Sequence, residues 1–231
     1  MTKIDIKGDI VDNDTGEFFD YFGMSSVYPK KVQQAIENDE DEEIILDVAS
    51  NGGDVFSASE IYTMLKSSGK NIVVNIQGLA ASAASVISMA GNIVNISPTA
   101  QLMIHKASVI GAGNADDFEH EAKVLNGIDE SIASAYELKT GMKQEDLLQM
   151  MASETWLNAK EAVDKGFADS IMFSNDENEE IVITNSINHI PSKQAINKFK
   201  NLIAKEQLKN EKDSQPKISL RDQKLAILRT N

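Results

Sequence analysis

The chain has 231 residues, 42% of them hydrophobic and 25% charged, the proportions of an ordinary globular protein with room for one core and an appendage. It has no cysteine and only three histidines, His105, His120 and His189, with no HExxH pattern; this excludes disulfides, thiol catalysis and thiolate metal sites and argues against a zinc enzyme. The net charge of −14 is uneven: Pro191 to Asn231 carry ten basic and four acidic residues, +6, against −20 for the first 190, and so acidic a body speaks against nucleic-acid binding.

The opening "MTKIDIKGDI" lacks the long apolar stretch of a signal peptide, and no run reaches the roughly 18 apolar residues of a membrane span. A cytoplasmic, membrane-free protein is expected. "IDIKGDI" and "EEIILDVAS" read as buried strands rich in β-branched residues. Between them, Pro29 to Asn38 is helix-like and Asp39 to Glu43 an acidic turn. "SNGGD" (Ser50 to Asp54) follows the second strand, and Val55, Ala58, Ile61, Tyr62 and Leu65 then fall at helical spacing. "NIVVNIQG" is another strand, Ser82 to Ala90 a small-residue helix, and "NIVNIS" and "QLMIHKA" short strands around Pro98. Asp116 to Thr140 predicts a long helix closed by Gly141. "KQEDLLQMM" and "NAKEAVDKG" predict two more, the second with Asn158 as N-cap and Gly166 at its C-terminal end. Alternating strands and helices imply an α/β fold with parallel pairing. "SNDENEE" (Ser174 to Glu180) marks a boundary. The body is then 1–174, an acidic linker or terminal strand 175–190, and a basic tail 191–231, in which Ile196, Phe199, Leu202 and Ile203 form a modest amphipathic stripe.

Two loops follow strands and open helices, "SNGGD" and "GLAAS". Paired glycines let backbone approach a ligand closely, and unpaired N–H groups at a helix start suit a developing oxyanion. A serine there needs a base, and His105 ends the apolar strand "LMIH", where its side chain can leave the core. Each feature also has a plain structural reading: small residues for close packing, Gly-Gly as a turn, a lone histidine as a core hydrogen-bonder. "GLAAS" is not the GxSxG elbow of the α/β-hydrolases.

Taken in order, strand–SNGGD–helix, strand–GLAAS–helix, "MIH" on a strand and "ETWLNAKEAVDKGFADSI" resemble the Clp protease proteolytic subunit (ClpP) family from about Ile4 to Ile171. The details look most like its phage-encoded branch, taken to mature virus heads. The resemblance implies a ClpP/crotonase-like α/β fold, a repeated β-β-α superhelix with mostly parallel sheets and a protruding long helix. By position it puts the nucleophile on Ser82, the base on His105, and oxyanion donors on the backbone N–H groups of Gly53 and Ala83. The third triad position, aspartate in the family, holds Glu154 here. Ser85 has no counterpart role and is assigned to packing. Asp164 and Asp169 are read as structural, and His120 and His189 as solvated. The sequence departs from the family at Asn51, where the cellular enzymes carry proline, at Glu154, and in the extension beyond Ser174.

The expected function is therefore a serine endopeptidase acting through an acyl-enzyme on Ser82, without cofactor or metal. The chain has no G-x-x-x-x-G-K-[ST] loop, so any ATP dependence belongs to a partner. By resemblance the partners are a protein or peptide substrate, other copies in a ring packed through the long helix, and an ATPase unfoldase or a capsid or scaffold protein; the setting is the cytoplasm, that of the host if the chain is phage-encoded. Two alternatives stand beside it: a crotonase-like acyl-CoA enzyme on the same framework, and a catalytically silent component of a viral assembly anchored by the basic tail. The tail is expected to contact an acidic surface.

Overall fold

The computed structural model of the chain describes residues 2–38 and 41–174. The proposed linker 175–190, the tail 191–231 with its amphipathic stripe, and His189 lie outside the described residues.

The first half of the chain holds β1 (Thr2–Ile10), α1 (Asn13–Tyr21), β2 (Ser26–Val27), α2 (Pro29–Glu37), β3 (Glu43–Gly53), α3 (Val55–Ser67) and β4 (Asn71–Ala81). Then follow α4 (Ala83–Ser88), β5 (Ile93–Ile96), β6 (Gln101–Ile104), the long α5 (Ala115–Thr140), α6 (Gln144–Ala152), β7 (Thr155–Asn158), α7 (Ala159–Asp164) and β8 (Ser170–Ile171). Strands run β2-β1-β3-β4-β5-β8, all parallel, while β6 pairs with the end of β4 and, antiparallel, with β7. The expected mixed α/β fold with a mostly parallel sheet is what the chain adopts.

Side-chain alternation explains how the sheet packs. Ile4, Leu46, Val74 and Val94 stand in one row across four strands, and Ile6, Val48, Ile76 and Ile96 in the next but one. All eight are buried in the core with residues of α3 and α4, at roughly 1.5–3 kcal/mol for each large apolar side chain. The row between them points to the other face and is polar: Asp5, Asp47, Asn75, Asn95 and Ser170. Its members bond along the row, Asn95 to Asn75 at 3.0 Å and Ser170 to Asn95 at 2.8 Å, with Lys3 Nζ 2.6 Å from Asp47.

Helix starts are marked by side-chain caps. Asp54 accepts the Ser57 N–H at 2.7 Å, and Asn114–Asp117 and Asn158–Glu161 form capping boxes at α5 and α7. Each such cap is worth about 1 kcal/mol. Gly141 closes α5 in the left-handed conformation, φ 71°. From Ala115 to Glu130 every residue of α5 except Glu121, Leu125, Ile128 and Asp129 is exposed, so its first half stands clear of the core.

Three expectations shift. The strand β3 continues through Ser50, Asn51 and both glycines instead of ending before a loop, and β4 continues to Ala81. "TWLN" is an antiparallel strand. Helix α1 was not anticipated; Asp12 nucleates it by accepting the Thr15 N–H at 3.0 Å and the Thr15 hydroxyl at 2.7 Å.

Candidate active site

The site forms where β4 changes partners. Val73 to Ile76 pair with β5, whereas Leu79 to Ala81 pair with β6. The register against β3 slips between Val48 and Ser50, because β4 carries two extra residues there, and this sets its last turn toward β6. Ser82 sits between that strand and α4 at φ 53°, ψ −125°, a conformation L-residues rarely adopt and one costing on the order of 1–3 kcal/mol. The surroundings hold it: the Ser82 N–H donates to the Met103 carbonyl at 2.9 Å, and the Ser82 carbonyl accepts the Ser85 N–H at 2.9 Å. Such a sharp turn lifts the hydroxyl off the strand end instead of burying it in the helix.

His105 follows β6, the strand whose Met103 takes that N–H, so backbone pairing sets the separation of the two residues. His105 Nε2 lies 2.7 Å from Ser82 Oγ. This is the reach a general base needs to take a hydroxyl proton.

The glycine pair closes the third side. Gly52 and Gly53 have φ of 99° and 144°. A Cβ at Gly52 would stand 2.7 Å from both the Ala81 carbonyl oxygen and Ser82 Cβ, so β3 passes directly against the Ser82 turn. A Cβ at Gly53 would meet the Ile10 carbonyl. Ser50, absent from the expected site, braces the pair: it donates to the Gly8 carbonyl at 2.6 Å and accepts the Gly52 N–H at 3.1 Å. Its signal in the sequence was only its place at the head of "SNGGD".

Gly53, Ser82, Ala83 and His105 all line one cavity of about 560 Å³. Its further walls are mixed, with Phe56, Val86, Leu125 and Ile132 beside Asn51, Asp54 and Glu121. Glu154 does not line it. The antiparallel register of β6 and β7 pairs Ile104 with Thr155, so one step further sets Glu154 across from His105. Glu154 is itself left-handed, φ 46°, and its carboxylate accepts the Trp156 indole N–H at 3.1 Å. Among the described residues no hydrogen bond joins it to His105. Ser82 and Glu154 are thus two of the three non-glycine residues with positive φ among those described.

The remaining acids and histidine are accounted for. Asp169 accepts the Val94 N–H at 2.6 Å and pairs with Lys139 at 2.7 Å, tying α5 to the sheet. Asp164 is exposed at the end of α7, and His120 is exposed on α5.

A parallel sheet whose strands deliver a strained serine, a histidine and a Gly-Gly pair to one cavity resembles the framework of Clp-type peptidases. The Clp protease family model matches residues 27–175, more than half of the chain. Among curated proteins, the ATP-dependent Clp protease proteolytic subunit 1 of Chlamydia abortus is 30% identical over 135 residues, covering 57% of this chain and 70% of that protein. The ATP-dependent Clp protease proteolytic subunit of Deinococcus radiodurans is 28% identical over 140 residues, 60% of this chain and 69% of that one. Subunit 1 of Chlamydia pneumoniae is 27% identical over 177 residues, 72% and 93% respectively. The chain belongs to the Clp protease family, a family of peptidases. Among the described residues no helix is long and apolar enough to cross a membrane.

Proposed function

We propose that this chain is a serine endopeptidase with Ser82 as nucleophile and His105 as base. The observation that carries the reading is the 2.7 Å hydrogen bond between Ser82 Oγ and His105 Nε2 at the mouth of a cavity. A peptide carbonyl enters beside Ser82 and the Oγ attacks its carbon while His105 Nε2 takes the proton. The Gly53 and Ala83 N–H groups receive the oxyanion, a contribution of about 3 kcal/mol per donor in such sites. The imidazolium then protonates the leaving amine. Water, deprotonated by the same nitrogen, hydrolyses the acyl-enzyme and frees Ser82.

Glu154 takes the third place by turning its carboxylate from Trp156 to His105 Nδ1. The cross-strand register supports this, since it sets the two residues opposite each other. The apolar part of the cavity wall, Phe56, Val86, Leu125 and Ile132, suits a substrate with an apolar side chain next to the scissile bond. The exposed half of α5, with Phe118 and the preceding Val109 and Ile110, is the surface through which copies pack into a ring enclosing the sites. Substrates are proteins in a cytoplasmic setting, either those an ATPase partner unfolds or, as the resemblance implies, components of a virus head.

The test is Ser82 labelling by a fluorophosphonate in the assembled protein. Labelling lost in Ser82→Ala supports the reading; an unlabelled Ser82 removes it. One observation favours the second reading, a silent assembly component: Glu154 is engaged by Trp156, not by His105. The same experiment separates the two. Membership of the Clp protease family leaves the acyl-CoA alternative without support.

A further inference from the structure

Ser82 and His105 leave the ends of two different strands, and Ser82 is strained, so their alignment needs restraint from outside the turn. Both restraints run to one helix. The Ser85 hydroxyl, fully buried, donates to the Ser82 carbonyl oxygen at 2.6 Å. Ser85 Oγ also lies 2.8 Å from the Tyr136 hydroxyl of α5. A carbonyl only accepts, so the single Ser85 proton is committed to Ser82 and Tyr136 must donate the second bond. Burial pushes the Tyr136 phenol upward, which keeps that proton in place. Its ring is fixed edge-on to Phe167, centroids 5.6 Å apart.

On the base side, Asp129 of α5 accepts the Ala107 N–H at 2.8 Å through Oδ1, and its Oδ2 lies 3.5 Å from Lys106 Nζ. These are the two residues directly after His105. Asp129 is only 3% exposed, a costly place for a carboxylate unless it is paired and bonded in this way. Asp129 and Tyr136 are seven residues apart, about two turns and roughly 10 Å along one face of α5.

We propose that Asp129 and Tyr136 are positioning residues for the Ser82–His105 pair. Tyr136, through Ser85, holds the peptide of Ser82 in its left-handed conformation, and Asp129 holds the chain where it leaves β6 and so aims His105. This rests on the reading of Ser82 as nucleophile. One helix face therefore sets both halves of the pair, although the two halves belong to different strands.

The experiment measures the rate of Ser82 modification by a fluorophosphonate in the full chain, alongside the melting temperature of each variant, with Ser82→Ala as blank. Tyr136→Phe and Ser85→Ala should each slow labelling roughly tenfold. The double variant should label no more slowly than Ser85→Ala alone, because Tyr136 acts through Ser85. Asp129→Ala should also slow it roughly tenfold, whereas Asp129→Asn, whose amide oxygen still accepts the Ala107 N–H, should stay within about threefold of wild type. Variants that lose melting temperature but label at the wild-type rate would show a merely structural role and overturn the proposal. Should Ser85→Ala fail to fold, Tyr136→Phe, which loses one oxygen atom, decides the nucleophile side alone. Wild type that does not label at Ser82 overturns the nucleophile reading and this proposal with it; labelling wild type with unaffected variants overturns only the proposal.

Discussion

His105 Nε2 and Ser82 Oγ meet at 2.7 Å although 23 residues separate them in the chain. The meeting is set by pairing of β4 with β6, in which Ala81 stands beside Met103 and the Ser82 N–H donates to the Met103 carbonyl. His105 thus stands directly after the strand that also supports the Ser82 turn.

That turn stores strain, and Ser82→Gly should release it. Relative to Ser82→Ala, the glycine variant is expected to be more stable by about 1 kcal/mol, since only glycine adopts φ 53° without steric cost. Both should be inactive, falling by three or more orders of magnitude in kcat/KM if Ser82 is the nucleophile. Denaturant melts of the two variants check the first statement. Equal stabilities would mean the turn is relaxed.

Glu154 can be tested against its partner. Glu154→Gln should lower kcat at least tenfold if its carboxylate orients His105 during turnover, with little change in KM. Trp156→Phe removes the indole N–H that now holds the carboxylate and should leave kcat equal or higher. A Glu154→Gln enzyme with wild-type kcat would remove Glu154 from the mechanism.

Gly52 has no room for a side chain. In Gly52→Ala the new Cβ, at φ 99°, would press on the Ala81 carbonyl and on Ser82 itself. We expect fluorophosphonate labelling to fall at least tenfold, together with a lower melting temperature. Gly69→Ala, also at positive φ but with open space around it, should lose stability alone and label normally.

The polar row across the sheet predicts an acid-sensitive contribution. Burial pushes the Asp47 carboxyl up, but bonds from Lys3, Asn75 and Gln77 outweigh it and leave the group below its ordinary 3.8. A folded value below the unfolded one means stability present above the unfolded pKa and lost as the pH falls through the folded one. Asp47→Asn should therefore flatten the loss of stability below about pH 4, as urea melts across that range would show. An unchanged slope would assign acid unfolding to other carboxylates.

Assembly is expected to depend on the exposed part of α5 and the loop before it. Ile110→Asp and Phe118→Asp put charge on apolar positions that are exposed in the single chain. Sedimentation should show a smaller assembly for either variant, with the fold intact by circular dichroism. Unchanged size would place the contact elsewhere.

The amino-acid pattern alone determined more of the frame than of the site. Runs rich in β-branched residues marked β1, β3, β4 and β5, because such side chains pack well on a pleated, buried surface. Asn158 and Gly141 marked helix ends because caps answer to backbone geometry within a few residues. Helix α1 escaped notice, since a single capping aspartate, Asp12, starts a nine-residue helix with three aromatic side chains and no clear apolar stripe. Ser82, His105, Gly53 and Ala83 could be named only as an ordered set resembling a family, since spacing along the chain says nothing about distance across it. Only the tertiary structure decided that β4 exchanges β5 for β6, that Ser82 is left-handed, that Glu154 bonds Trp156, and that Ser85 reaches Tyr136. Apart from the local Glu154–Trp156 bond, which no sequence pattern announces, these depend on which strand or helix lies alongside, and hydrogen bonds between residues remote in sequence are fixed by packing of the whole core, not by any local run of residues.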